Sequence, residues 1–258
     1  MFAFRSIRRQ LITAMMSSLA FGNAHAAPLV VLKLDDMNVA NGSVPERWQR
    51  LTRFAEERRM KTSIGIIGNS LEGDHPEYLA ELKRLAGTGL FEFWHHGYDH
   101  KRWDDGGMTL CEFSGTDKEH QLRHFQLTQD LAKQKLGITF HTFGAPFNAT
   151  DAVTIDVLSA APEIRVWLQG DAEKPAGKFV ARMINNVNIE QPVHRPNFDA
   201  FVKGYEALKK NHPPVLILQG HPNSWDEADF ACFVHIIDYL ETQGCRYILP
   251  AELPDLLK

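Results

Sequence analysis

Short apolar runs alternate with amphipathic stretches along most of this 258-residue chain, and several runs end on an acid or a histidine. Residues 29–34 are aliphatic apart from one Lys and lead into Asp35-Asp36. Pro45 then opens a stretch with Trp48, Leu51 and Ala55 at helical spacing. Strands are expected again at 63–68, at 90–94 running into His95-His96, and at 138–143 running into Gly144-Ala145-Pro146-Phe147-Asn148. Between them, Asp74 is expected to cap a helix bearing Tyr78, Leu82 and Leu85, and Thr116 with Glu119 to cap a long one. Further strands are expected at 164–168, within 179–189, at 215–219 before His221, and at 246–249. Helices start after Asp151 and Asn197, and Phe230, Phe233, Val234, Ile237 and Leu240 form the stripe of the last long one. Seven or eight such units, with no linker and no shift of composition, predict one parallel α/β domain. That count favours a (β/α)7–8 barrel over an open sheet.

The barrel is expected to begin after residue 26. Arg5, Arg8 and Arg9 precede the mostly apolar stretch 11–22, and Ala24-His25-Ala26 has the small-x-small pattern of a cleavage site. This is the layout of a signal peptide over 1–26, leaving a domain over 27–258 that is exported to a periplasmic or extracellular space. The apolar run is too short to span a bilayer, and no later segment is long enough. The chain carries a net charge of -4, and losing three arginines and no acid makes the remainder more acidic. Nucleic acid and anionic lipid are therefore poor partners. Cys111, Cys232 and Cys245 are odd in number and form no C-x-x-C, so cysteine does not carry the chemistry.

Where the polar residues fall is the functional signal. In a β/α barrel the carboxyl ends of all strands meet at one face. Asp35-Asp36, His95-His96, Pro146, Asp171 and His221 each follow an expected strand and would converge there. His96 and His100 lie four apart in Glu92-Phe93-Trp94-His95-His96-Gly97-Tyr98-Asp99-His100. Two imidazoles and a carboxylate from the Asp pair make a ligand set for one divalent metal with positions left open. A cation there would also relieve the repulsion between adjacent acids.

These residues resemble, in order from about Val30 to His221, the polysaccharide deacetylase (NodB-homology) superfamily. The family's Asp pair matches Leu34-Asp35-Asp36, its glutamate and spaced His pair match Glu92, His96 and His100, and its Pro-aromatic matches Pro146-Phe147. Its apolar strand ending in His matches residues 216–221. The resemblance implies a distorted barrel and a metal-dependent hydrolase that removes acyl groups, foremost N-acetyl, from a carbohydrate. Asp36, His96 and His100 would then hold the metal, zinc in the family's usual form. Asp35 would be the general base, His221 the general acid, and the Phe147 backbone N–H an oxyanion donor. Two departures stand out: Gly144 occupies the place of the family's arginine beside the base, and Phe147 that of a tyrosine. Trp167 and Asp171 only approximate a further motif.

Glu92, Trp94, Tyr98, Pro146, Asn148, Asp171 and Trp225 are the remaining candidates for supporting the site or touching an acetylated glycan. Trp94, Tyr98, Trp103, Phe147, Trp167 and Trp225 are candidate sugar-stacking aromatics. Two other function classes compete: a C–N amidohydrolase acting on a small amide or cyclic imide, and a non-catalytic metal- or carbohydrate-binding protein.

Overall fold

The computed structural model describes residues 27–184 and 186–257. The expected leader, 1–26, lies outside the described residues. In chain order the elements are β1 (Leu29–Met37), α1 (Glu46–Glu57), β2 (Thr62–Ile66), α2 (Pro76–Ala86) and β3 (Phe91–His95). A hairpin of β4 (Arg102–Asp105) and β5 (Met108–Cys111) follows, then α3 (Lys118–Leu131), β6 (Thr142–Gly144), α4 (Ala152–Ser159), β7 (Val166–Leu168) and β8 (Phe179–Ala181). The chain continues through α5 (Phe198–Lys209), β9 (Val215–Gly220), α6 (Glu227–Thr242) and β10 (Arg246–Tyr247) to α7 (Leu253–Leu256). No helix among the described residues is long and apolar enough to cross a membrane.

Seven parallel strands curve into a nearly closed barrel in the order β9-β1-β2-β3-β6-β7-β8, and the short β10 joins β1 at Leu29 and Val30. Among the described residues β8 and β9 are not paired. The segment after β8 fills that gap: Val187 and Ile189 are buried, and the Asn188 side chain accepts a hydrogen bond from the Gln219 backbone N–H of β9. The fold is thus the expected barrel, with one seam left open.

Strand periodicity sorts the residues of β1. Val30, Leu32 and Leu34 face the helices, where they join Trp48, Leu51, Ile237 and Leu240 in the main core. Val31, Lys33 and Asp35 alternate with them, and Val31 packs with Trp94, Val166, Leu168 and Ile217 inside the barrel. Trp94 takes up much of that interior. A Cβ added at Gly65 would stand 2.4 Å from its ring, and one at Gly144 2.8 Å. Only glycine on β2 and β6 lets the indole lie flat against both backbones.

Several boundaries differ from expectation for local reasons. The cap of α3 is Asp117, which accepts from the His120 backbone N–H, whereas the Thr116 hydroxyl donates to the Glu112 carbonyl. His75, not Asp74, precedes α2, and Pro76 sits at its first position. The strand expected at 138–143 starts only at Thr142 because the Gln129 amide takes both backbone groups of Phe140.

Candidate active site

Asp36 ends the apolar run of β1 in a left-handed backbone conformation (φ 73°), which turns its carboxylate away from the strand's alternation. Its Oδ1 lies 3.0 Å from His96 Nε2 and 3.0 Å from His100 Nε2. Burial pushes the Asp36 pKa up, but hydrogen bonds from His100 and His96 and their charge carry it well below the usual carboxylate range. Burial lowers the His100 pKa and the Asp36 carboxylate more than restores it, so it ends raised. His96 Nδ1 donates to the Gly144 carbonyl at 2.7 Å, which leaves Nε2 with its lone pair in the neutral tautomer. A lone pair and a carboxylate oxygen at that distance repel unless a proton or cation lies between them. The three donor atoms are mutually within 4.8 Å. This set fits a divalent cation, and the Nδ1-to-carbonyl bond is how metal-binding histidines are commonly oriented.

Beside this cluster, Asp35 is 2% exposed. Its Oδ2 receives Lys33 Nζ at 2.5 Å and Gln219 Nε2 at 2.6 Å. Its Oδ1 is buried without a hydrogen-bond partner in the protein. His221 Nε2 lies 3.9 Å from Asp35 Oδ2, across the mouth of the barrel. The other ring nitrogen, Nδ1, is 2.7 Å from Glu190 Oε2. Glu190 also accepts from the backbone N–H groups of His221 and His194 and from the Trp225 indole N–H, each at 2.7 Å. Burial lowers the His221 pKa, but the Glu190 bond and the charges of Asp35, Glu190 and Asp36 raise it further, so it ends above its ordinary value. Asp35, Asp36, His96, His100 and His221 share an open cavity of about 450 Å³, walled by Phe147 and Arg102 on one side and His194 on the other.

The structure separates the other candidates. Asn148 lines the cavity and donates to Gln219 Oε1, and Phe147, 43% exposed, sets its ring 4.4 Å from that of His100. Pro146 is buried beneath them. Trp94 and Trp225 are buried and cannot stack on a sugar; Trp94 packs edge-on against His96, and Trp225 holds Glu190. Glu92 sits deeper in the barrel, where it accepts from the Thr142 hydroxyl and the Ala251 backbone N–H. Tyr98 turns its hydroxyl out to Glu72. Asp171 caps the turn at Glu173 and Lys174, and Trp167 is core, so that pair supplies no site residue. His95 points outward and stacks on Phe125; burial pushes its pKa down to about 3.

Sequence reasoning missed Glu190, Lys33, Gln219 and Glu112. Glu112, on the turn after β5, is fully buried. Its carboxylate takes the backbone N–H groups of Tyr98, Asp99 and His100 and the ring of His124. These bonds clamp the loop that presents His100, itself at φ 53°. Although Asp99, Glu112 and His124 lie close enough to hold an ion, the Glu112 oxygens are already spoken for by these donors. Glu112→Gln is expected to weaken metal binding at the Asp36–His96–His100 cluster about 10–100-fold, read by competition with a chelating dye. Unchanged affinity would show that the loop holds His100 without the clamp.

A family profile described as polysaccharide deacetylase matches residues 22–163, more than half of the chain. The chain belongs to the polysaccharide deacetylase family. Solved structures carry the same fold at low identity. A family 4 acetyl xylan esterase from Clostridium thermocellum, in complex with a cobalt ion, is 14% identical with a TM-score of 0.61, covering 88% of this chain and 91% of that one. A peptidoglycan N-acetylglucosamine deacetylase is 13% identical at TM-score 0.58, covering 90% and 89%. A family 4 pseudoenzyme from Bacillus anthracis is 15% identical at TM-score 0.57, covering 89% and 66%. No curated protein sequence matches this polysaccharide deacetylase family member. Its first three expected motifs fall inside the matched region, whereas Glu190 and His221 lie beyond it.

Proposed function

We propose that this protein is a working metal-dependent deacetylase, exported after its leader (1–26) is cleaved, that removes acetyl groups, foremost N-acetyl, from a cell-envelope or extracellular glycan. One observation carries the reading. The Asp36–His96–His100 donor set lies beside a carboxylate with a free buried oxygen and faces a carboxylate-paired histidine. A divalent cation held by Asp36, His96 and His100, zinc by family habit, would lower the pKa of water there and polarise the acyl oxygen. Asp35 Oδ1 accepts the proton of the attacking water as its oxygen bonds to the acyl carbon. The Phe147 backbone N–H is the donor for the charge that develops on the acyl oxygen. His221 Nε2 then delivers a proton to the sugar nitrogen as the C–N bond breaks, while Glu190 stabilises the imidazolium. The products are acetate and a free amine. A binding protein would have no use for Asp35 and His221, which weighs against that alternative.

Purified protein is expected to hold about one divalent ion per chain by elemental analysis and to release acetate from N-acetylated oligosaccharides. His96→Ala and His100→Ala should each lose the ion and the activity. Full metal occupancy in both variants would remove the metal centre from this place. Turnover of a cyclic imide but of no glycan would move the protein to the amidohydrolase reading.

A further inference from the structure

We propose that Lys33, acting with Gln219, is the positioning residue that presents the working oxygen of Asp35; the inference rests on the deacetylase reading above. Lys33 is completely buried. Lysine is almost never found so unless paired. It stands two residues before Asp35 on β1, so both side chains enter the barrel interior on the same face of the strand. There the ammonium meets Asp35 Oδ2 at 2.5 Å and lies 5.2 Å from the centre of the Trp94 ring.

The arrangement is selective for one oxygen. Lys33 and Gln219 both donate to Oδ2, and Gln219 is itself held by Asn148 from the cavity wall. Two donors on Oδ2 fix the rotation of the carboxyl group and leave Oδ1 with no protein donor. A carboxylate free to rotate would offer either oxygen, and displacement of a catalytic group by about 1 Å can cost about 100-fold in rate. Trp94 closes the alternatives. With its indole against Gly144, no side chain from position 144 can enter to reach Asp35, so the cation comes from β1 itself.

The test compares Lys33→Met, Gln219→Met and Asp35→Asn, with the double variant Lys33→Met/Asp35→Asn, in kcat and KM for an N-acetylated oligosaccharide, metal content and thermal unfolding. Lys33→Met should lower kcat about 100-fold, with KM within about threefold and the metal retained, since Asp36, His96 and His100 are untouched. In the Asp35→Asn background the same change should cost nothing further in kcat, because the group it positions is gone. The double variant should melt above Lys33→Met, which leaves a buried carboxylate without its cation. Should Lys33→Met fail to fold, Gln219→Met decides, with an expected loss in kcat of about tenfold. Wild-type kcat in the variant that folds, or equal losses with and without Asp35, would overturn the proposal. A wild-type protein that releases no acetate would instead overturn the deacetylase reading, and the positioning role would fall with it.

Discussion

Asp35→Asn should retain the metal, lose about 10²–10⁴-fold in kcat, and melt at a lower temperature than the wild type. The three effects have separate causes. The metal stays because Asp36, His96 and His100 supply the donors. The rate falls because the amide cannot accept the proton of the attacking water at Oδ1. Stability falls because Lys33 is left in the barrel interior without its counter-charge, a loss of about 3 kcal/mol for breaking one side of a buried pair. For a chain of this size that is about 10 °C in Tm. An Asp35→Asn protein with wild-type turnover would mean that another group takes the proton.

His221→Ala should slow the reaction by a similar factor, and more for an N-acetyl than for an O-acetyl substrate. An amine leaves poorly until it is protonated, whereas an alkoxide needs less help. Glu190→Gln keeps the imidazole but removes the charge that raises its pKa. The sign follows directly. His221 must be protonated to act as an acid, so activity falls as pH rises through its pKa. Without Glu190 that alkaline limb should move to lower pH, which a kcat/KM profile will show. An unmoved limb would detach it from His221.

Elements with strong local periodicity were legible in the sequence. The apolar stripe of α6, the run of β1 and the Asp151 and Asn197 caps all stand where the residues place them. The Asp36–His96–His100 donor set was legible as well, because its members sit in short motifs at strand ends. Glu190 was not. It follows Val187 and Ile189 in a stretch that leaves the sheet after Ala181, and its role exists only because the barrel leaves a seam between β8 and β9 into which that stretch folds. The β4–β5 hairpin carried a signal that went unread, Asp105 followed by Gly106 and Gly107, and with it went Glu112. Lys33 looked like an interruption of an apolar strand. The period of two that places Val31 inside the barrel also places Lys33 beside Asp35, and that much could have been read. The buried tryptophans misled because an aromatic next to a motif reads the same whether it meets a sugar or a neighbouring glycine.

The position of β1 also sets an order of assembly. This first strand carries Lys33, Asp35 and Asp36, yet one of its edges pairs with β9, close to the far end of the chain. A nascent chain therefore holds its acidic pair on a strand with one side unmatched until nearly all the rest has arrived. Pairing at such sequence separation is slow. Until it is complete, the open edge invites mispairing with other chains. Chains cut short just before β9 would keep the first three motifs but not a closed β1, and would accumulate as aggregates rather than as a weak enzyme.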